Sequence, residues 1–191
     1  MTLRNPRIFT IFLLGLPALA SSPSTPGIEN FHQIDQQVYR GAQPTDEGIH
    51  YLSTIGVKVV IDLREHDQRA VDEERTVTAA GMRYVNVPMT GMTSPSTAET
   101  DKLLALLEDP AAGPVFVHCK RGADRTGAVI AAYRIDHDKW DNAQALNEAM
   151  SDHMSSLQFQ RQKYIRTFQG RPTDATSADV VAPAAATNVK D

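Results

Sequence analysis

The segment that most constrains this 191-residue chain is the run Pro114-Val115-Phe116-Val117 followed by His118-Cys119-Lys120-Arg121-Gly122-Ala123-Asp124-Arg125-Thr126-Gly127. The apolar run reads as a buried strand. The stretch that follows the loop, Ala128-Val129-Ile130-Ala131-Ala132-Tyr133-Arg134, reads as the opening of a buried helix. A short loop between such a strand and helix must turn its backbone tightly. Its N–H groups, together with the helix N-terminus, then form a cradle for an oxyanion.

The residue types in this loop suit phosphate chemistry. A free cysteine ionises near ~8.5, and reactive thiols are shifted to roughly 3.5–7.5 by cations, dipoles and hydrogen bonds. A helix N-terminus supplies up to about 2 kcal/mol. That corresponds to about one and a half pKa units, so the inward N–H groups, Arg125 and the Thr126 hydroxyl must supply the rest. A thiolate at Cys119 can attack phosphorus. Arg125, six positions on from Cys119, can hold two phosphate oxygens in its planar fork, where a lysine would offer only a point charge. Gly122 permits a backbone conformation close to the ligand.

The loop resembles the signature loop of cysteine-dependent phosphatases, the protein tyrosine and dual-specificity phosphatase superfamily. His118, Cys119, Gly122, Arg125, Thr126 and Gly127 all match. The segment Val38-Tyr39-Arg40-Gly41-Ala42-Gln43-Pro44 resembles the one that opens many dual-specificity-like domains. The resemblance implies hydrolysis of phosphate monoesters through a phosphocysteine, with Cys119 as nucleophile, Arg125 on the phosphate and Thr126 stabilising the departing thiolate. Lys120, Arg121, Gly122 and Ala123 would line the phosphate site, His118 would order the loop, and no cofactor or metal is expected. The substrate would be a phosphorylated protein or a phosphoinositide or inositol phosphate, since cations at Lys120 and Arg121 favour more than one negative charge. The alternatives are a catalytically inactive module that uses the same loop to bind phosphate or a phosphoprotein and, more remotely, a thiol-dependent arsenate reductase.

The chain departs from the family at the general acid. In the family an Asp on a mobile loop protonates the leaving alcohol. The corresponding segment here, Met89-Thr90-Gly91-Met92-Thr93-Ser94-Pro95, carries no carboxylate. Asp124, inside the loop, is the first substitute, with Glu99 and Asp101 behind it. Ser96-Thr97-Ala98-Glu99 has capping-box spacing, which suits Glu99 to closing a helix start; Asp101 would sit in that helix's first turn.

The remainder reads as alternating strands and helices: strands at 57–64, 82–87 and 114–118, helices at 68–80, 96–108, 127–137, 141–153 and 157–168. The expected fold is α/β, a central, mostly parallel sheet with helices on both faces. Its carboxyl end would present Cys119, where ligands bind in open α/β sheets. Residues 1–20 read as a signal peptide: Arg4 and Arg7, an apolar stretch over 8–16, then Ala18-Leu19-Ala20. The apolar stretch is short for a bilayer span, so an exported protein, periplasmic or secreted, is expected, with no stable membrane span after signal removal. Residues 21–30 read as a flexible leader, 31–169 as the phosphatase-like domain and 170–191 as a mobile tail. The formal charge is −4 and there is no basic tract, which argues against nucleic-acid binding. The single cysteine rules out an internal disulfide.

Overall fold

The computed structural model describes residues 25–90 and 92–171. The signal peptide assigned to 1–20, the start of the leader and most of the C-terminal tail lie outside the described residues.

Five strands form one sheet: β1 (His32–Gln33), β2 (Val38–Ala42), β3 (Val59–Asp62), β4 (Arg83–Asn86) and β5 (Val115–Cys119). Their spatial order is β1-β2-β5-β3-β4. The β1–β2 pair is antiparallel and the other pairs are parallel. The helices are α1 (Asp46–Thr54), α2 (Gln68–Ala79), α3 (Thr97–Glu108), α4 (Asp124–Asp136), α5 (Asn142–Ser151) and α6 (Phe159–Thr167). The expected α/β architecture is therefore present, a mostly parallel sheet covered on both faces.

Side chains alternate across a strand, and this alternation distributes the central strands between two cores. Val59, Ile61, Val115, Val117 and Cys119 face the cluster completed by Leu103, Leu104 and Leu107 of α3 and by Val129, Ile130 and Tyr133 of α4. Val60 and Phe116 face the opposite cluster, with Ile49 and Leu52 of α1 and Val77 of α2. The same alternation separates two neighbours at the end of β5: Cys119 lies on the α4 side, while His118 turns toward α2.

Two expected boundaries shift. The leader was expected to be flexible through residue 30, yet Ile28 is buried and Glu29 accepts a backbone hydrogen bond from Ala42 at 2.8 Å. The described part of the leader is thus anchored by apolar burial and by the end of β2. The tail was expected from 170, yet the Arg171 backbone N–H and Nε bond the two oxygens of Asp136 at 2.6 and 2.7 Å, and its Nη2 pairs with Glu108. The domain therefore continues through Arg171, because a paired cation ties it to α3 and α4.

Candidate active site

β5 runs in the middle of the sheet, between β2 and β3, and its last residue is Cys119. The thiol is buried, 2 % exposed, and it is sheltered where α4 begins. Four of the α-helices in the described residues carry side-chain N-caps: Thr45, Asp67, Ser96 and Asp141. α4 has none, which leaves its first amides for an anion. Burial pushes the Cys119 thiol up, but the Thr126 hydroxyl, the Thr126 amide, the Arg125 charge and the Arg121 amide together hold it below its ordinary value. Thr126 is fully buried, and its Oγ1 is otherwise without a partner among the described residues.

The loop's shape is set from β2 and from the leader. Gly122 has φ +67°. A Cβ there would lie 2.3 Å from the Gly41 carbonyl carbon and 2.4 Å from its oxygen, so glycine is required both for conformation and for space. The Gly122 carbonyl accepts from Arg40 Nη2 at 2.5 Å and from Asn30 Nδ2 at 3.1 Å. Across a trans peptide the C=O and the next N–H point in opposite directions, so holding the Gly122 carbonyl outward turns the Ala123 N–H toward the cradle. Arg40 is itself completely buried and pairs with Asp152 at 2.5 Å.

His118 is fully buried on the other face. Its Nε2 stands 2.7 Å from Glu73 Oε1, and its Nδ1 contacts the Cys119 carbonyl at 3.4 Å. Burial lowers its pKa, but the hydrogen bond and charge of Glu73 and the charge of Asp62 outweigh this and raise it. Arg64 closes the network. Its Nη2 bonds Asp62 at 2.6 Å and Glu73 at 2.8 Å, and Tyr84 donates to Asp62 at 2.6 Å. Asp62, Glu73 and His118 bring three potential metal ligands within 4.8 Å of one another. Arg64 already contacts both carboxylates, so the resident cation of this cluster is a guanidinium.

A strand-loop-helix with an activated cysteine and an arginine at this spacing is matched by the family model described as DSP-PTPase phosphatase fused to NAD+ kinase, over residues 20–167. The chain belongs to this family. The dual-specificity protein phosphatase TpbA of Pseudomonas aeruginosa is 32% identical over 152 residues, covering 72% of this chain and 65% of TpbA. The inositol diphosphatase DSP5 of Arabidopsis thaliana is 28% identical over 109 residues, 55% of this chain and 53% of that protein. A crystal structure of a cysteine-to-serine variant of P. aeruginosa TpbA in complex with pTyr superposes with TM-score 0.62 at 26% identity, over 76% of this chain and 92% of that one. The chain spans 11% of a further relative, the probable chloroplastic NAD kinase 2 of Oryza sativa, at 28% identity over 108 residues that make up 53% of this chain. It thus covers less than two thirds of the length of these curated relatives.

Within this phosphatase-family loop, the remaining expected residues are brought together unequally. Arg125 is half-buried, and its Nη1 donates to the carbonyls of Leu63 and Met89 at 3.3 and 3.4 Å, which fixes it between the ends of β3 and β4. Lys120 is exposed and lines an open cleft of about 270 Å³ with Gln43, Arg64, Glu65, Arg69 and Arg125. Arg121 turns its side chain away to Asp124 at 2.5 Å. The other Asp124 oxygen accepts from the Ser155 N–H at 2.9 Å. With donors at both oxygens, Asp124 ties the loop to the α5–α6 connection, a role that suits an organiser better than a proton donor. Glu99 forms the expected capping box with Ser96, and Asp101 is exposed on α3. Sequence reasoning missed Glu73, although the pattern held a signal: Ala70, Glu73 and Val77 form the buried stripe of α2, and a charged residue on such a stripe needs a partner.

Proposed function

We propose that this protein hydrolyses phosphate monoesters through a phosphocysteine on Cys119. The observation that carries the reading is the buried Cys119 thiol, held below its ordinary pKa by Thr126, by loop amides and by Arg125. The thiolate attacks phosphorus, an S–P bond forms and the ester P–O bond breaks. Water then attacks phosphorus, the S–P bond breaks, and Thr126 receives the thiolate with its hydroxyl. Arg125 holds the equatorial oxygens, and the amides from Arg121 to Thr126, with Gly122 and Ala123 at the turn, complete the cradle. His118 positions the loop from below.

The substrate class proposed is a phosphorylated protein, phosphotyrosine included, or an inositol phosphate or phosphoinositide. The pTyr complex of TpbA supports the first, and the inositol diphosphatase name of DSP5 supports the second. Lys120 beside Arg125 suits either. Export to a periplasm or the outside is proposed from Arg4, Arg7, the apolar run and Ala18-Leu19-Ala20; among the described residues no helix is long and apolar enough to cross a membrane. A second reading, a phosphate-binding module without turnover, draws on the absence of a carboxylate from residues 89–95.

The deciding experiment is metal-free hydrolysis of p-nitrophenyl phosphate by the reduced protein beside Cys119→Ser. Turnover abolished in the variant is expected. Saturable phosphate or tungstate binding without turnover in the wild type would favour the binding module.

A further inference from the structure

The proposed reaction lacks a proton donor for the leaving oxygen. Residues 89–95 carry no carboxylate. Both oxygens of Asp124 are occupied by Arg121 and the Ser155 amide. Glu99 is spent on its capping box. A different carboxylate stands at the site. Glu65 follows β3 directly, and it is the one acid among the residues lining the cleft with Arg125, Lys120, Gln43, Arg64 and Arg69.

The backbone that carries Glu65 is fixed on both sides. The Leu63 N–H donates to the His118 carbonyl at 2.9 Å, and the Leu63 carbonyl accepts from Arg125 Nη1 at 3.3 Å. Arg64 is locked by Asp62 and Glu73. Asp67 caps α2, and its N–H donates to the Glu65 carbonyl at 2.9 Å. The Glu65 side chain is exposed and makes no hydrogen bond among the described residues. It is left over from the scaffold, two residues from a carbonyl that touches the phosphate-holding arginine.

We propose that Glu65 is the general acid, donating its proton to the leaving-group oxygen as the ester bond breaks. The inference rests on the phosphatase reading.

The test compares Glu65→Gln, Glu65→Asp and Asp124→Asn with the wild type on two substrates, p-nitrophenyl phosphate and phenyl phosphate. Nitrophenolate leaves with little help, whereas phenolate needs a proton. Glu65→Gln is expected to keep kcat on p-nitrophenyl phosphate within about threefold and to lose about 100-fold or more on phenyl phosphate, the range for a positioned acid. Glu65→Asp should recover part of the loss, and Asp124→Asn should slow both substrates alike. A Glu65→Gln variant that is unchanged on both substrates or equally slowed on both, or a selective loss in Asp124→Asn, overturns the assignment while leaving the Cys119 reading intact. Wild-type protein with no Cys119-dependent turnover of p-nitrophenyl phosphate overturns both.

Discussion

Arg40, with no exposed surface, donates through Nη2 to the carbonyl of Gly122 at 2.5 Å, while its Nη1 pairs with Asp152 at the same distance. One guanidinium therefore ties β2, the phosphate loop and the end of α5 together. Arg40→Met keeps much of the volume but strands the Asp152 carboxylate and loosens the Gly122 peptide. Breaking a buried pair from one side costs roughly 3 kcal/mol, so the urea midpoint should fall accordingly, with a loss of catalytic efficiency beyond it. Arg40→Lys should recover part of the stability but little of the activity, since an ammonium lacks the fork that reaches both acceptors. Activity restored fully by lysine would show that charge alone suffices.

Gly122 fills a position no side chain fits. Its φ of +67° costs an ordinary residue about 1–2 kcal/mol, and its missing Cβ space is occupied by Gly41 backbone at 2.3 Å. Neither backbone can yield without parting β2 from β5. Gly122→Ala is therefore expected to abolish turnover and phosphate binding even where far-ultraviolet circular dichroism shows a folded chain. Isothermal titration with inorganic phosphate or tungstate checks this. Binding retained at wild-type affinity would mean the loop tolerates a displaced Gly41.

The elements and Cys119's place at the sheet's carboxyl end were legible because they follow from local patterns. Apolar runs marked the central strands, and Ser96 with Glu99 marked the start of α3. The loop's chemistry was legible because Cys119, Arg125 and Thr126 sit within one short stretch. The supports were not. Glu73 lies 45 positions from His118, and Asn30 lies 92 from Gly122; only the sheet order, with β5 between β2 and β3, brings them to the loop. Asp124 illustrates the converse limit. Its place in the loop suggested an acid, but Ser155, brought in by the α5–α6 connection, claims one of its oxygens.

The Thr126 hydroxyl is one cause of the depressed Cys119 pKa, and removing it has a defined sign. Thr126→Val keeps the branched shape and deletes the donor. The thiolate then loses a hydrogen bond, and the cysteine should titrate at higher pH. The measurement is the rate of iodoacetamide alkylation of Cys119 against pH in the unliganded protein. The wild-type rate should rise through a midpoint below that of an ordinary thiol, with the variant's midpoint displaced upward. An unmoved midpoint would assign the depression to the loop amides and Arg125 alone.

The buried His118–Glu73 contact predicts a pH dependence of stability. His118 has a folded-state pKa raised above the unfolded value of about 6.5. The native state therefore holds this proton over a window where the unfolded chain has released it. Stabilisation from the pair is fully present below the unfolded value and is lost as pH rises through the raised folded one. Cys119 acts in the opposite direction, because its depressed pKa makes the unfolded chain the better proton binder. The experiment therefore belongs in a Cys119→Ser background, where urea midpoints should fall as pH rises from about 6 toward the raised His118 value. Adding Glu73→Gln removes the carboxylate that holds the imidazolium, so the overall midpoint should drop and the slope over that window should flatten. Equal slopes with and without Glu73 would show that Asp62 and the surrounding network hold the proton by themselves.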